Sequence, residues 1–261
     1  EIYTLSLHDA LPISIVTTFM RLVARGCIIM LLGLALLPVG GEIQIVLVAM
    51  GITMVIVSWV PLLNFWWKVA LFLIATVAAT VMYAPQTLPQ VYPLVAWIAY
   101  FIGGMLLYEI YVSNTHYRAN IMHWAVTGVS LVIAVVGLYF RFDPNLPGWL
   151  RFTGHTGVAG EIILSVAVAA IVLHMCLIVG KRIPTLVYPF AALGSMSLTV
   201  YILHVLTAYY WQQNVALQST MWALGFVFFF LLIASLWKKF VGQGPRSEEH
   251  TSELQSPIVI S

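Results

Sequence analysis

Charged side chains are scarce in this sequence: Lys, Arg, Asp and Glu together make up 8% of its 261 residues, against roughly 25% in an ordinary soluble domain. Cysteine is nearly absent too. Cys27 and Cys176 each fall inside an apolar run, where a thiol behaves as a small hydrophobe, so neither a disulfide nor a metal site is expected. The chain also has no glycine-rich phosphate loop, serine-hydrolase elbow or zinc-ligand spacing. No internal repeat, low-complexity stretch or soluble domain is visible. What it has in quantity is apolar sequence, with 62% hydrophobic residues and a mean hydropathy of +0.99. That composition belongs to a protein whose surface faces lipid.

The two ends read differently from the middle. Glu1–Ile13 (EIYTLSLHDALPI) and Arg246–Ser256 (RSEEHTSELQS) translate, codon for codon, common short-read sequencing adapters. Residues 1–13 and 246–261 are therefore read as artefactual, leaving Ser14–Pro245 as a single, partial membrane domain. Arg246 and five of the nine acidic residues lie in those ends. Ten basic and four acidic residues then remain, and the net charge rises from +2 to +6. The basic residues are too dispersed for nucleic-acid binding.

A transmembrane helix needs about 20 mostly apolar residues, and breaks at Pro, Gly and charge divide the middle into eight candidates. They are Ile15–Leu37, Ile43–Leu63, Phe65–Ala84, Leu94–Ser113, Ile121–Phe140, Val158–Gly180, Phe190–Trp211 and Met221–Phe240. The expected fold is all-α, a polytopic transmembrane bundle with both natural ends in the cytoplasm. If the spans alternate, Arg21, Arg25, Lys68, Arg118, Lys181, Arg182, Lys238 and Lys239 share one side, and only Arg141 and Arg151 fall on the other. Positive charge marks the cytoplasmic side. The longest outer connection is then Arg141–Gly157 (RFDPNLPGWLRFTGHTG), the expected lip of any site facing outward.

With so few charges, ionisable groups at membrane depth are functional candidates by default. Ser197, Tyr201, His204 and Trp211 fall at offsets of four, three and seven, one stripe of a helix. The imidazole of His204 there suits proton exchange in a wet cavity; the alternative is an interhelical hydrogen bond. His155 and Glu161 stand where the outer loop enters the sixth span. Glu161 is either a site carboxylate or a cap for the free amides of the helix start. Glu109, near the inner end of the fourth span, precedes His116, Arg118 and His123; an ion pair at headgroup level and interfacial histidines are the simpler expectation. The alternative groups Arg118, Lys181 and Arg182 into a basic mouth for a phosphorylated donor. His174 and Glu42 read as structural.

Leu193–His204 (LGSMSLTVYILH) and Phe240–Pro245 (FVGQGP) resemble a bacterial family of multi-pass inner-membrane proteins of unknown function. That family is grouped with heparan-α-glucosaminide N-acetyltransferase-like proteins. Gly194, Met196, Ser197, Leu198, Thr199 and Tyr201 match its G-[RK]-M-[SA]-L-T-x-Y segment, with Ser195 in place of the basic residue. Gly242, Gly244 and Pro245 match its G-x-G-P-L-E-W tail, and His155, Thr156, Gly157 and Glu161 fit an H-[ST]-G-T-T-x-E element, departing at Val158 and Ala159. In the acetyltransferase relatives, a histidine in an early outer loop passes an acetyl group from cytoplasmic acetyl-CoA to an extracytoplasmic sugar amine. That segment would lie before Ser14, so no residue of the middle takes its role.

The resemblance implies a membrane acyltransferase of the inner membrane, with acetyl-CoA or another acyl donor as co-substrate and a sugar or envelope acceptor. His204, His155 and Glu161 are the expected catalytic groups, Arg118, Lys181 and Arg182 the donor contacts, and Tyr201, Ser197 and Glu109 the substrate contacts. Two other readings stand beside it. One is a small-solute transporter, whose sign would be paired broken helices; the other is a non-catalytic membrane subunit.

Overall fold

The structure is a computed structural model that describes residues 7–41, 44–85, 92–113, 119–212 and 220–240. Every regular element among them is helical, as a bilayer demands when it offers no water to unpaired backbone groups. They fall into two compact units. The first takes in Glu1–Pro38 and Glu42–Ile178, the second Val39–Gly41 and Val179–Ser261.

In the first unit, α1 (Leu7–Leu36) and α2 (Leu47–Ile56) pack backbone to backbone. A Cβ added at Gly51 would stand 2.5 Å from the Met30 nitrogen and 2.6 Å from the Gly26 carbonyl oxygen. Only a residue without a side chain permits that approach. The unbroken span expected over Ile43–Leu63 is not what forms: α2 stops at Ile56, and Val60–Leu62 makes a 3₁₀ turn. Pro61 explains the stop, because its ring collides with the carbonyl four residues back and it has no N–H to donate. Ser58 Oγ donates at 2.8 Å to the Val55 carbonyl, which also accepts the Ser58 N–H at 3.3 Å.

α3 (Phe65–Tyr83) starts at Asn64, whose side chain accepts the Trp67 N–H at 3.2 Å, an ordinary N-cap. It forms an antiparallel hairpin with α4 (Leu94–Tyr108), which continues into a π-helical turn over Glu109–Ser113. Ala75 and Ala79 of α3 pack with Ala96 and Ala99 of α4 in the main core, joined by Val158 and by Ile162 of α6 (Ala159–Arg182). α5 (Ala119–Tyr139) adds Ala134 against Leu164 and the loop residue Phe152.

The second unit holds α7 (Pro184–Ser195), α8 (Ser197–Gln212) and α9 (Thr220–Phe240). The continuous span expected over Phe190–Trp211 is broken at Met196, where α7 and α8 meet at 74°. Gly194 and Ser195 precede the break, a pair at which helices commonly kink. Ser195 Oγ donates to the Ala192 carbonyl at 2.8 Å, competing with the helical ladder.

Among the described residues, six helices are long and apolar enough to cross a membrane, or seven if the bent pair counts as one span. The protein is a multi-pass membrane protein. The eight expected spans exceed this count at α2, which is only 10 residues long, and at the bent α7–α8 pair.

Candidate functional site

At the start of α6, Glu161 folds back over its own helix and accepts hydrogen bonds from five donors. Its Oε2 receives the Thr156 N–H at 2.6 Å, the Gly157 N–H at 2.8 Å and the Thr156 hydroxyl at 2.6 Å. Its Oε1 receives the His155 N–H and the Tyr100 hydroxyl, both at 3.1 Å. Three consecutive amides converge because His155 and Gly157 have left-handed φ values of 66° and 67°, which curls the backbone into a concave nest for an anion. A carboxylate offers about four lone-pair positions, so this one is fully engaged and serves as an anchor. Gly157 has a second reason to be glycine, since an added Cβ would stand 2.9 Å from Pro93 and from the Tyr83 ring. The loop is thereby pinned to the turn end of the α3–α4 hairpin, where Thr80 Oγ1 also accepts the Ala159 N–H at 2.9 Å. The His155 side chain is exposed on this pinned loop.

At the opposite end of the same hairpin, Lys68 Nζ meets Glu109 Oε2 at 2.5 Å. Either charge facing lipid alone would cost on the order of 2.5–3.5 kcal/mol, and pairing offsets that cost. The pair borders a cavity of 670 Å³, within the usual range for small-molecule sites. Glu109 also opens the π-helical turn, a helix irregularity often found at functional sites.

A third polar group adjoins this end, since Ile110 and Tyr111 follow Glu109 in the π turn. His123 Nε2 contacts the Ile110 carbonyl at 2.8 Å; a carbonyl only accepts, so that nitrogen carries the proton. Thr127 Oγ1 donates to the His123 carbonyl at 2.7 Å. Its lone pairs then accept from the Tyr111 hydroxyl at 2.8 Å and from His174 Nδ1 at 2.7 Å. The Trp124 ring closes over His174 at 4.8 Å between centroids. The cluster ties the π turn, α5 and α6 together.

A family model described as a protein of unknown function, DUF418, matches residues 107–248, more than half of the chain. The chain belongs to the DUF418 family. No curated protein and no solved structure matches it.

The matched stretch of this DUF418 protein includes Glu109, His123, His155, Glu161, His174, Ser197, Tyr201 and His204, whereas Lys68 and Tyr100 precede it. The structure brings His155 and Glu161 together, and Tyr100 with them. Glu109 forms an ion pair, as the simpler expectation had it. Lys181 and Arg182 end α6, exposed, where cations suit the helix dipole. His204 belongs to the second unit, and its imidazole packs edge-on to Phe226 and Phe230 of α9, at 5.4 and 6.1 Å. Tyr201 is half-buried and Ser197 exposed on the same helix. Arg118, His116 and Glu42 lie outside the described residues, as does the side chain of Trp211.

Sequence reading missed Tyr100, the partner of Glu109, and the hydroxyl network around His174. A signal for the second existed. Lys68 lies as many residues before the end of α3 at Tyr83 as Glu109 lies after the start of α4 at Leu94, so an antiparallel hairpin must set them level. Tyr100 carried no such mark among the other aromatic residues.

Proposed function

We propose that this DUF418 protein is a membrane acyltransferase that moves an acyl group from a cytoplasmic donor to an extracytoplasmic acceptor. The observation that carries the reading is the exposed imidazole of His155 on a loop whose backbone is fixed by Glu161. A preset loop holds a base at the orientation a reaction needs, without ordering it at each turnover. The neutral imidazole takes the proton of an acceptor amine or hydroxyl as the nitrogen or oxygen attacks the acyl carbonyl. The new C–N or C–O bond forms, the C–S bond of a thioester donor breaks, and the leaving thiolate takes up a proton. Glu161 is then a positioning residue for His155.

Arg118, Lys181 and Arg182 are the proposed contacts for the donor's phosphates. α6 runs from Ala159 to Arg182, about 36 Å at 1.5 Å per residue. The donor's acyl-bearing arm must therefore extend along α6 and bring its thioester carbonyl to the His155 loop, so that the acyl group passes directly from the thiol to the acceptor. His204, with Tyr201 and Ser197 beside it, is the other proposed base.

The test uses the intact protein in proteoliposomes, with an acetyl-labelled thioester on one side and an amino sugar on the other. His155→Asn keeps a residue that tolerates left-handed φ while removing the base. It is expected to lower label transfer by roughly 10²–10⁴-fold, with His204→Ala as comparison. Transfer unchanged in His155→Asn would remove His155 from the mechanism; no transfer by the unsubstituted protein would remove the reading.

One observation favours transport as a second reading. The 74° break between α7 and α8 falls inside the LGSMSLT segment, and discontinuous helices are where transporters bind solute. Accumulation of solute by the same proteoliposomes, without acyl transfer, would select it.

A further inference from the structure

The cavity beside Lys68 and Glu109 is amphipathic. Leu22, Phe101 and Met105 supply apolar wall, and the ion pair forms its polar end. Its depth in the bilayer is marked independently: Trp66 and Trp67, in the first turn of α3, are 77% and 63% exposed. Exposed tryptophans at a span's end sit at the level of lipid headgroups. Lys68 follows them directly, so the charged end of the cavity lies where headgroups lie and its apolar walls run toward the acyl chains.

The charge of that end selects among headgroups. Lys68 and Glu109 together are neutral, yet each keeps capacity for a further bond: the ammonium has three donors and the carboxylate about four acceptor positions. An anion seated on Lys68 alone would meet the Glu109 carboxylate, and a cation on Glu109 alone would meet the ammonium. A headgroup carrying both signs satisfies both partners without leaving either charge uncompensated. From the cavity, its depth and its paired charges we infer that this is a binding site for a zwitterionic aminophospholipid, with phosphate toward Lys68 and ammonium toward Glu109. The lipid's glycerol and upper chains occupy the space along α1 and α4.

Gly104 provides the means of testing this without disturbing the ion pair. It lines the cavity, and a Cβ added there meets nothing within 4 Å, so Gly104→Leu fills space that the lipid would use. The intact protein is to be incorporated into nanodiscs of equal phosphatidylethanolamine and phosphatidylglycerol, released into mild detergent and its retained lipids counted by native mass spectrometry. Unsubstituted protein is expected to retain phosphatidylethanolamine over phosphatidylglycerol by roughly fivefold, equivalent to about 1 kcal/mol. Gly104→Leu is expected to abolish retention. Exchanging the pair, Lys68→Glu with Glu109→Lys, is expected to keep the preference, because the end stays neutral and dipolar. Equal retention of both lipids, preference for the anionic one, or retention unaffected by Gly104→Leu would each overturn the inference. Should the exchanged pair fail to fold, Gly104→Leu decides alone.

Discussion

Glu161 shows how one carboxylate can set a loop. Five donors converge on it, three of them main-chain amides. Glu161→Gln leaves a single amide oxygen to serve them and turns an NH₂ group toward N–H donors. The expected loss is about 2–4 kcal/mol, summed over more than one unmade bond, measured as a lower unfolding temperature in detergent; an unchanged transition would mean the nest holds without the charge. Its role as a cap was legible, since an acidic residue in a first turn invites it. The loop's left-handed residues were not, because His155 does not announce positive φ as glycine does. For Lys68 and Glu109 the expectation is coupling. Lys68→Met and Glu109→Gln should each destabilise by about 1–3 kcal/mol, while the double substitution costs less than their sum. Strict additivity in a double-mutant cycle would show that the close contact contributes nothing.

Among the helices, the closest approach is the most sensitive. At Gly51 an added methyl would enter the backbone of α1, so Gly51→Ala should cost about 1–3 kcal/mol. Gly128 of α5 has nothing within 4 Å of an added Cβ, and Gly128→Ala should be neutral or stabilising by up to about 1 kcal/mol. Thermal unfolding of the two variants side by side checks both signs. The long helices α1, α3, α4, α5, α6 and α9 were readable from apolar length alone, because length and composition are what a bilayer selects. α2 and the α7–α8 break were not. Hydropathy over Ile43–Leu63 and Phe190–Trp211 averages across Pro61 and across Gly194–Ser195, where backbone chemistry decides whether a helix continues.

For the whole molecule, the account rests on polarity at both ends of the α3–α4 hairpin, with the His155 loop at one and the Lys68–Glu109 pair at the other. Acyl transfer across a membrane requires that these ends face opposite compartments. Such polarity could be read only in part from sequence, since contacts between helices distant along the chain, such as Tyr100 with Glu161, leave no periodic trace. The most direct measurement is labelling of single cysteines in intact cells with a membrane-impermeant maleimide, after Cys27 and Cys176 are replaced. Gly154 is exposed, with open space around an added Cβ, and Ser113 is exposed at the end of the π turn. The account predicts that Gly154→Cys reacts in intact cells and that Ser113→Cys reacts only once the membrane is opened. Reaction of both in intact cells, or of Ser113→Cys alone, would contradict it.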